Sequence, residues 1–106
     1  MNRTLESIEW FSLNPLPEAV SHPALNYCWM QEGEHLDQTL DTQYRINKQV
    51  DLIRFDAAYR HFFQCQLKAL HYPISHLPAI VFNGTEVVYG IDSLSDAIAI
   101  WEKQDV

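Results

Sequence analysis

The sequence predicts a single α/β domain over residues 1–106, with a mixed four-stranded sheet, a C-terminal β-hairpin and helices on both faces. Two short runs rich in aromatic and β-branched residues lie within the first thirty positions. A central stretch repeats apolar residues at three- and four-residue spacing, and an Asn-Gly pair separates two β-rich runs near the C-terminus. With 106 residues, 47% of them hydrophobic, the chain can form one packed core.

The first two strands are predicted over residues 7–13 and 25–30, where the apolar and aromatic runs lie. Prolines at positions 15 and 17 stop the first strand because proline cannot donate to the ladder. A short helix is predicted over residues 17–20, since proline fits the first helical turn, and Pro23 ends it.

Two helices are predicted next. Residues 35–46 are polar and acidic with Leu36 and Leu40 at helical spacing, which favours a short surface helix followed by an exposed stretch. Residues 50–70 form a long amphipathic helix that ends before Pro73. Its apolar stripe is predicted to comprise Leu52, Phe55, Ala58, Tyr59, Phe62, Cys65 and Ala69, widened by Phe63, Leu67 and Leu70.

The C-terminal third predicts a hairpin and a closing helix. Asn83-Gly84 suits a type I′ turn because both central residues of that turn need positive φ. Residues 92–96 offer capping oxygens and early negative charge to a final helix that covers the sheet. The order strand, short helix, strand, helix, hairpin, helix is thioredoxin-like topology.

Four segments resemble a family of integrating-conjugative-element proteins: residues 10–12, 58–70, 73–82 and 87–92. That family has no defined biochemical function, is thioredoxin-like, and is found in bacterial gene clusters for conjugative, type IV-like DNA transfer. The resemblance implies an accessory role in the conjugation apparatus of a mobile element, usually on the periplasmic side, through binding to a protein component of that apparatus.

Charge and hydropathy exclude several classes of function. Fourteen acidic and seven basic residues give a net charge of −7, which disfavours binding to nucleic acid or anionic lipid. No membrane span and no secretory signal are expected from the sequence as written. The compartment is periplasmic if the chain is a mature fragment, as the resemblance implies, and cytoplasmic if Met1 is the natural start.

No thioredoxin-type catalysis is predicted. That chemistry needs a thiolate in the segment after the first strand, and residues 12–15, which form this segment, contain no cysteine. Ser12 stands where the nucleophile would be and could at best donate or accept a hydrogen bond. Cys28 and Cys65 are expected to be buried, chemically quiet thiols, with a mutual disulfide or a reactive thiol as alternatives. The leading hypothesis is a non-enzymatic binding protein, and the alternative is a thiol-disulfide oxidoreductase or isomerase that uses one of these cysteines.

Pro78 stands at the start of the third strand, where thioredoxin-like domains place a cis-proline. The adjoining backbone of Leu77 could pair with an extended peptide, and His76 could respond to a ligand in that groove. His76, Leu77 and Pro78, together with Ser12, are the predicted partner-binding edge. His61 and Cys65 share one side of a helix, but zinc needs three or four converging ligands and no companion carboxylate motif is evident, so neither a metal site nor a cofactor is predicted.

Overall fold

The structure, a computed structural model, describes residues 4–46 and 52–104. Its elements are β1 (Ile8–Ser12), β2 (Leu25–Trp29), α1 (Glu32–Ile46), α2 (Leu52–His71), β3 (Ala79–Phe82), β4 (Glu86–Tyr89) and α3 (Leu94–Lys103). The prediction of an α/β domain with a four-stranded mixed sheet is confirmed. The first two residues of the predicted long helix, 50 and 51, and the exposed stretch at 47–49 lie outside the described residues.

The strands are ordered β2-β1-β3-β4. β1 runs parallel to β2 and antiparallel to β3, and β3 pairs antiparallel with β4. In this register Phe11 of β1 lies opposite Cys28 on one side and Ala79 on the other. β1 and β3 are therefore the central strands, and their apolar side chains form the core.

The core has two parts because successive strand side chains point to opposite faces. On one face, the sheet packs against α3, and the buried residues are Ile8, Trp10, Ile80, Phe82, Val88, Leu94, Ala97 and Trp101. On the other face, Phe11, Cys28 and Val81 pack against Cys65 of α2. Helices thus cover both faces of the sheet, as predicted.

The prediction of a short helix over residues 17–20 is wrong. The segment between β1 and β2 contains a turn, in which the Val20 N–H donates to the Pro17 carbonyl at 3.1 Å. Pro17 and Pro23 both lack a backbone N–H, and too few residues separate them to propagate a helix.

Helix α1 begins at Glu32, three residues before the predicted start, and includes Gly33. A Cβ atom at Gly33 would come within 2.6 Å of the Phe62 ring, so the glycine lets the two helices approach closely. Leu36 of α1 and Phe55 of α2 are buried. Helix α1 packs against α2, and the longest dimension of the molecule is 58 Å.

Only part of the apolar stripe predicted for α2 reaches the core. Phe55 and Cys65 are buried, whereas Leu52 is 67% exposed. The residues predicted to widen the stripe lie at the surface instead: Phe63, Leu67 and Leu70 are 55%, 66% and 77% exposed. A helix turns by about 100° per residue, so these three face away from Cys65.

The hairpin turn has the predicted backbone, with φ of 54° at Asn83 and 71° at Gly84. Strand pairing resumes at Glu86, so Thr85 is a third loop residue. The Asn83 side chain holds the segment before β1: its Oδ1 accepts from the N–H groups of Glu6 and Ser7, and its Nδ2 donates to the Thr4 carbonyl.

Candidate functional site

Cys28 and Cys65 form a disulfide, so the expectation of two unpaired thiols is wrong. Cys28 lies mid-strand on the sheet face that α2 covers, and Cys65 lies on the side of α2 that faces the sheet. Their Cα atoms are 5.6 Å apart, a separation that a disulfide spans without backbone movement. The bond joins β2 to α2 across 37 residues of sequence.

His61 lies beside this disulfide, one helical turn before Cys65. Its Nε2 is 3.6 Å from the Cys65 sulfur and 3.1 Å from the carbonyl oxygen of Tyr27. Since a carbonyl oxygen can only accept, the second contact is a hydrogen bond when Nε2 carries the proton. The ligand atoms of Cys28, His61 and Cys65 all lie within 4.8 Å of one another, and we call these three residues the sulfur–imidazole cluster.

The sulfur atoms of the sulfur–imidazole cluster are not accessible to a protein substrate. Cys28 is 0% exposed and Cys65 2%, whereas thiol-disulfide exchange requires a sulfur that an attacking thiolate can reach. His61 is half-buried and is the most accessible of the three. This burial weighs against the oxidoreductase alternative.

The Leu77-Pro78 peptide bond is cis, as predicted. Leu77 is half-buried and packs on the Phe11–Val81 part of the core. His76 is exposed; its ring stacks on Tyr89 at 4.2 Å between centroids, and its Nδ1 is 2.9 Å from the Ser75 hydroxyl. Of the predicted edge, His76 therefore presents the most surface.

Ser12 does not reach the surface; it is 1% exposed. Its hydroxyl donates to Asp92 Oδ1 at 3.3 Å and accepts from the Asn14 N–H at 3.2 Å. Trp10 Nε1 donates to the same Asp92 oxygen at 3.1 Å. Phe11 of β1 pairs with Ala79 of β3, so Ser12, which follows Phe11, and Pro78, which precedes Ala79, lie at the same end of the sheet. The Ser12 hydroxyl, however, is bonded to Asp92, just before the start of α3.

Residues 92–96 were predicted to offer capping oxygens to α3, but the Asp92 carboxylate instead accepts the hydrogen bonds of Trp10 and Ser12. Ser93 occupies the N-cap position of α3 and makes no side-chain capping hydrogen bond. Nearby, burial raises the pKa of Tyr27; the negative charge of Asp92 acts in the same direction, and a hydrogen bond with Ser12 opposes it. Tyr27 therefore stays protonated at neutral pH, and its hydroxyl donates to the Asn14 carbonyl.

We expect Asp92→Ala to lower the free energy of unfolding by about 1–3 kcal/mol, because the buried Trp10 N–H loses its acceptor. Asp92→Asn keeps an acceptor oxygen and should retain most of the stability. Urea denaturation measures both. Asp96→Ala is the matched control, since it removes an exposed carboxylate near the same end of α3. An equal loss from Asp92→Ala and Asp96→Ala would show that helix charge alone is responsible.

None of the helices in the described part of the chain is long and apolar enough to cross a membrane. In a comparison with protein families, a model described as "Protein of unknown function (DUF1525)" matches residues 45–105, which contain α2, the hairpin and α3. No curated protein and no solved structure gives a significant match.

Proposed function

The chain belongs to the DUF1525 family of proteins of unknown function, whose model covers more than half of it, and from this premise we propose that it is a non-catalytic, thioredoxin-like protein-binding domain. The strand order, with an antiparallel hairpin after a parallel pair and helices on both faces, supports a thioredoxin-like assignment. Its partner is a component of a conjugative, type IV-like transfer apparatus, a context that rests on the resemblance of residues 58–70, 73–82 and 87–92.

The observation that carries the binding function is an exposed apolar stripe on α2, formed by Phe63, Leu67 and Leu70. These residues follow one another at four- and three-residue spacing, so they lie in a row along the helix. Tyr59 extends the row, because its ring stacks on Phe63 at 6.3 Å between centroids. We call these four residues the α2 stripe.

The chemistry of the α2 stripe favours a helical protein partner. Apolar residues repeating every three or four positions are what one helix presents to another, or to an apolar groove. The exposed ion pair between Asp56 and Arg60, at 2.9 Å, lies at the N-terminal end of the stripe, where charge sets the orientation of the bound segment. The net charge of −7 disfavours nucleic acid as the ligand of this surface.

The predicted edge at His76, Leu77 and Pro78 is the second contact surface in this proposal. It lies at the end of the sheet, where the exposed His76 ring is held against Tyr89. Leu77 and Pro78 are half-buried, so the edge exposes less apolar surface than the α2 stripe does. The α2 stripe is therefore the primary site to test.

The buried disulfide supports a binding role and an oxidising compartment. Disulfides persist in secreted and periplasmic proteins and are rare in proteins of reducing compartments. The bond fixes α2 on the sheet, so it also holds the α2 stripe in position. This agrees with a periplasmic location for the protein, the location that the resemblance implies.

We expect Leu67→Glu to weaken partner binding by about 2 kcal/mol, roughly thirtyfold, since it places a charge in the centre of the apolar row. Its stability should change by no more than about 0.5 kcal/mol, because Leu67 is 66% exposed. A photo-crosslinking residue at position 70, followed by mass spectrometry, identifies the partner in cells that carry the mobile element. Binding is then measured with the purified partner.

Gln64→Glu is the matched control, since it adds the same charge to an exposed position on α2 beside the stripe. It should bind as the unaltered protein does and support the same frequency of conjugative transfer. Normal binding and transfer by Leu67→Glu would refute the α2 stripe as the site. Insulin reduction by the purified protein, lost on Cys65→Ser, would instead establish the oxidoreductase function.

A further inference from the structure

The sulfur–imidazole cluster has a chemistry that the binding function does not use. We propose that Cys28, His61 and Cys65, once their disulfide is reduced, bind one Cu(I) ion. The ligands come from two elements: Cys28 from β2, and His61 and Cys65 from adjacent turns of α2. The four-residue spacing alone brings His61 and Cys65 together, whereas the fold brings Cys28 to them.

The geometry of the cluster fits a metal of this size. A metal that bonds sulfur at about 2.3 Å and imidazole nitrogen at about 2.0 Å holds three ligand atoms about 4 Å apart. The ligand atoms of the cluster already lie within 4.8 Å of one another. On reduction the two sulfurs separate to non-bonded contact, and this separation opens the space between them and His61 Nε2.

The donor set selects the metal. Thiolate sulfur is a soft ligand and favours Cu(I) or Zn(II) among the common biological ions. Structural zinc takes four protein ligands, whereas no fourth His, Cys, Asp or Glu joins these three within residues 4–46 and 52–104. Three soft ligands in a largely buried site suit three-coordinate Cu(I).

The binding step balances without any further redox partner. A small dithiol reductant, which reaches the buried sulfurs when the fold opens locally, gives two electrons and two protons to the disulfide and becomes a cyclic disulfide itself. Cu(I) then displaces the two thiol protons and keeps its oxidation state. His61 must present the lone pair of Nε2, so its ring proton moves to Nδ1 and the hydrogen bond to the Tyr27 carbonyl is lost. The half-buried His61 provides the path of entry.

The test is a Cu(I) titration under anaerobic conditions, with a chromogenic Cu(I) chelator as competitor. Protein reduced with a dithiol and then freed of it should take up one Cu(I) per chain, and the disulfide form should take up none. His61→Gln should weaken binding at least about tenfold. His71→Gln, an exposed histidine at the end of α2, should bind as the unaltered protein does. X-ray absorption should show two sulfur ligands and one nitrogen.

Equal affinity of the reduced protein and its His61→Gln variant would overturn the site, because two thiols alone would then explain the uptake. Equal uptake by the disulfide form, or tighter binding of Zn(II) than of Cu(I), would overturn it as well. Far-UV circular dichroism follows the fold throughout. If reduction unfolds the chain, Cu(I) should restore the helical signal with His61 present and fail to do so with His61→Gln; no restoration in either would refute the proposal.

Discussion

Reduction of the Cys28–Cys65 disulfide should lower the free energy of unfolding by about 4 kcal/mol, the largest effect expected from any one bond in this chain. A bond that closes a loop of 37 residues removes conformational entropy from the unfolded chain, and reduction restores that entropy. Total stabilities of small domains are about 5–15 kcal/mol, so reduction should leave a folded but marginal protein. Urea denaturation with and without a dithiol measures the difference.

The slope of this transition provides a second readout. Without the bond, the unfolded chain expands and exposes more surface, so the dependence of the free energy on urea concentration should become steeper. The sequence contains two cysteines, so the reductant acts on this bond alone. The double variant Cys28→Ala/Cys65→Ala is the control, and its transition should not respond to reductant. An unchanged midpoint in the native protein, with two free thiols already present, would show that the sulfurs are not bridged.

The disulfide illustrates which contacts the sequence could not predict. The pairing depends on the register of β2 against β1, which turns Cys28 toward α2, and on the rotation of α2, which turns Cys65 toward the sheet. Neither follows from a separation of 37 residues. The available signal was that Cys28 lies mid-strand and Cys65 lies within a helical apolar stripe, so both belong to buried faces.

The local elements were predictable because their signals are local. The strands at residues 8–12 and 25–29 lie within the predicted runs, since prolines and apolar residues define them. The turn at Asn83-Gly84 follows from backbone preferences of two adjacent residues. By contrast, glycine disfavours a helix interior, so Gly33 gives no local signal that it lies inside α1. The need for glycine there comes from the close approach of Phe62, which is 29 positions away.

Helical geometry alone could have divided the apolar residues of α2 between two faces, without showing which face is buried. At about 100° per residue, Phe63 and Leu67 each lie about 160° from Cys65 around the helix axis. One face cannot include all three, so one set must face solvent or a partner. Which set is buried depends on the sheet, and the disulfide of Cys65 decides it. The exposure of the α2 stripe is therefore a consequence of tertiary packing, although its residues all lie within one helix.

On the opposite face of the sheet, Trp101→Ala should lower the free energy of unfolding by about 3–5 kcal/mol. Trp101 is 1% exposed and stacks on Phe82 at 5.1 Å between ring centroids. Helix α3 has ten residues, too few for stability in isolation, so it forms because Leu94, Ala97 and Trp101 are buried against the sheet. Truncation leaves a cavity under the helix and removes its largest anchor.

Trp101→Phe and Glu102→Ala are the controls for this prediction. Phenylalanine keeps an aromatic ring against Phe82, so Trp101→Phe should cost less than Trp101→Ala. Glu102 is exposed on the same turn, and its replacement should change stability by no more than about 0.5 kcal/mol. The disulfide lies on the other face, so Trp101→Ala should leave it intact and release no thiols. A loss below about 1 kcal/mol would mean that α3 is held mainly by Leu94 and Ala97, because truncation of a buried anchor costs more than that.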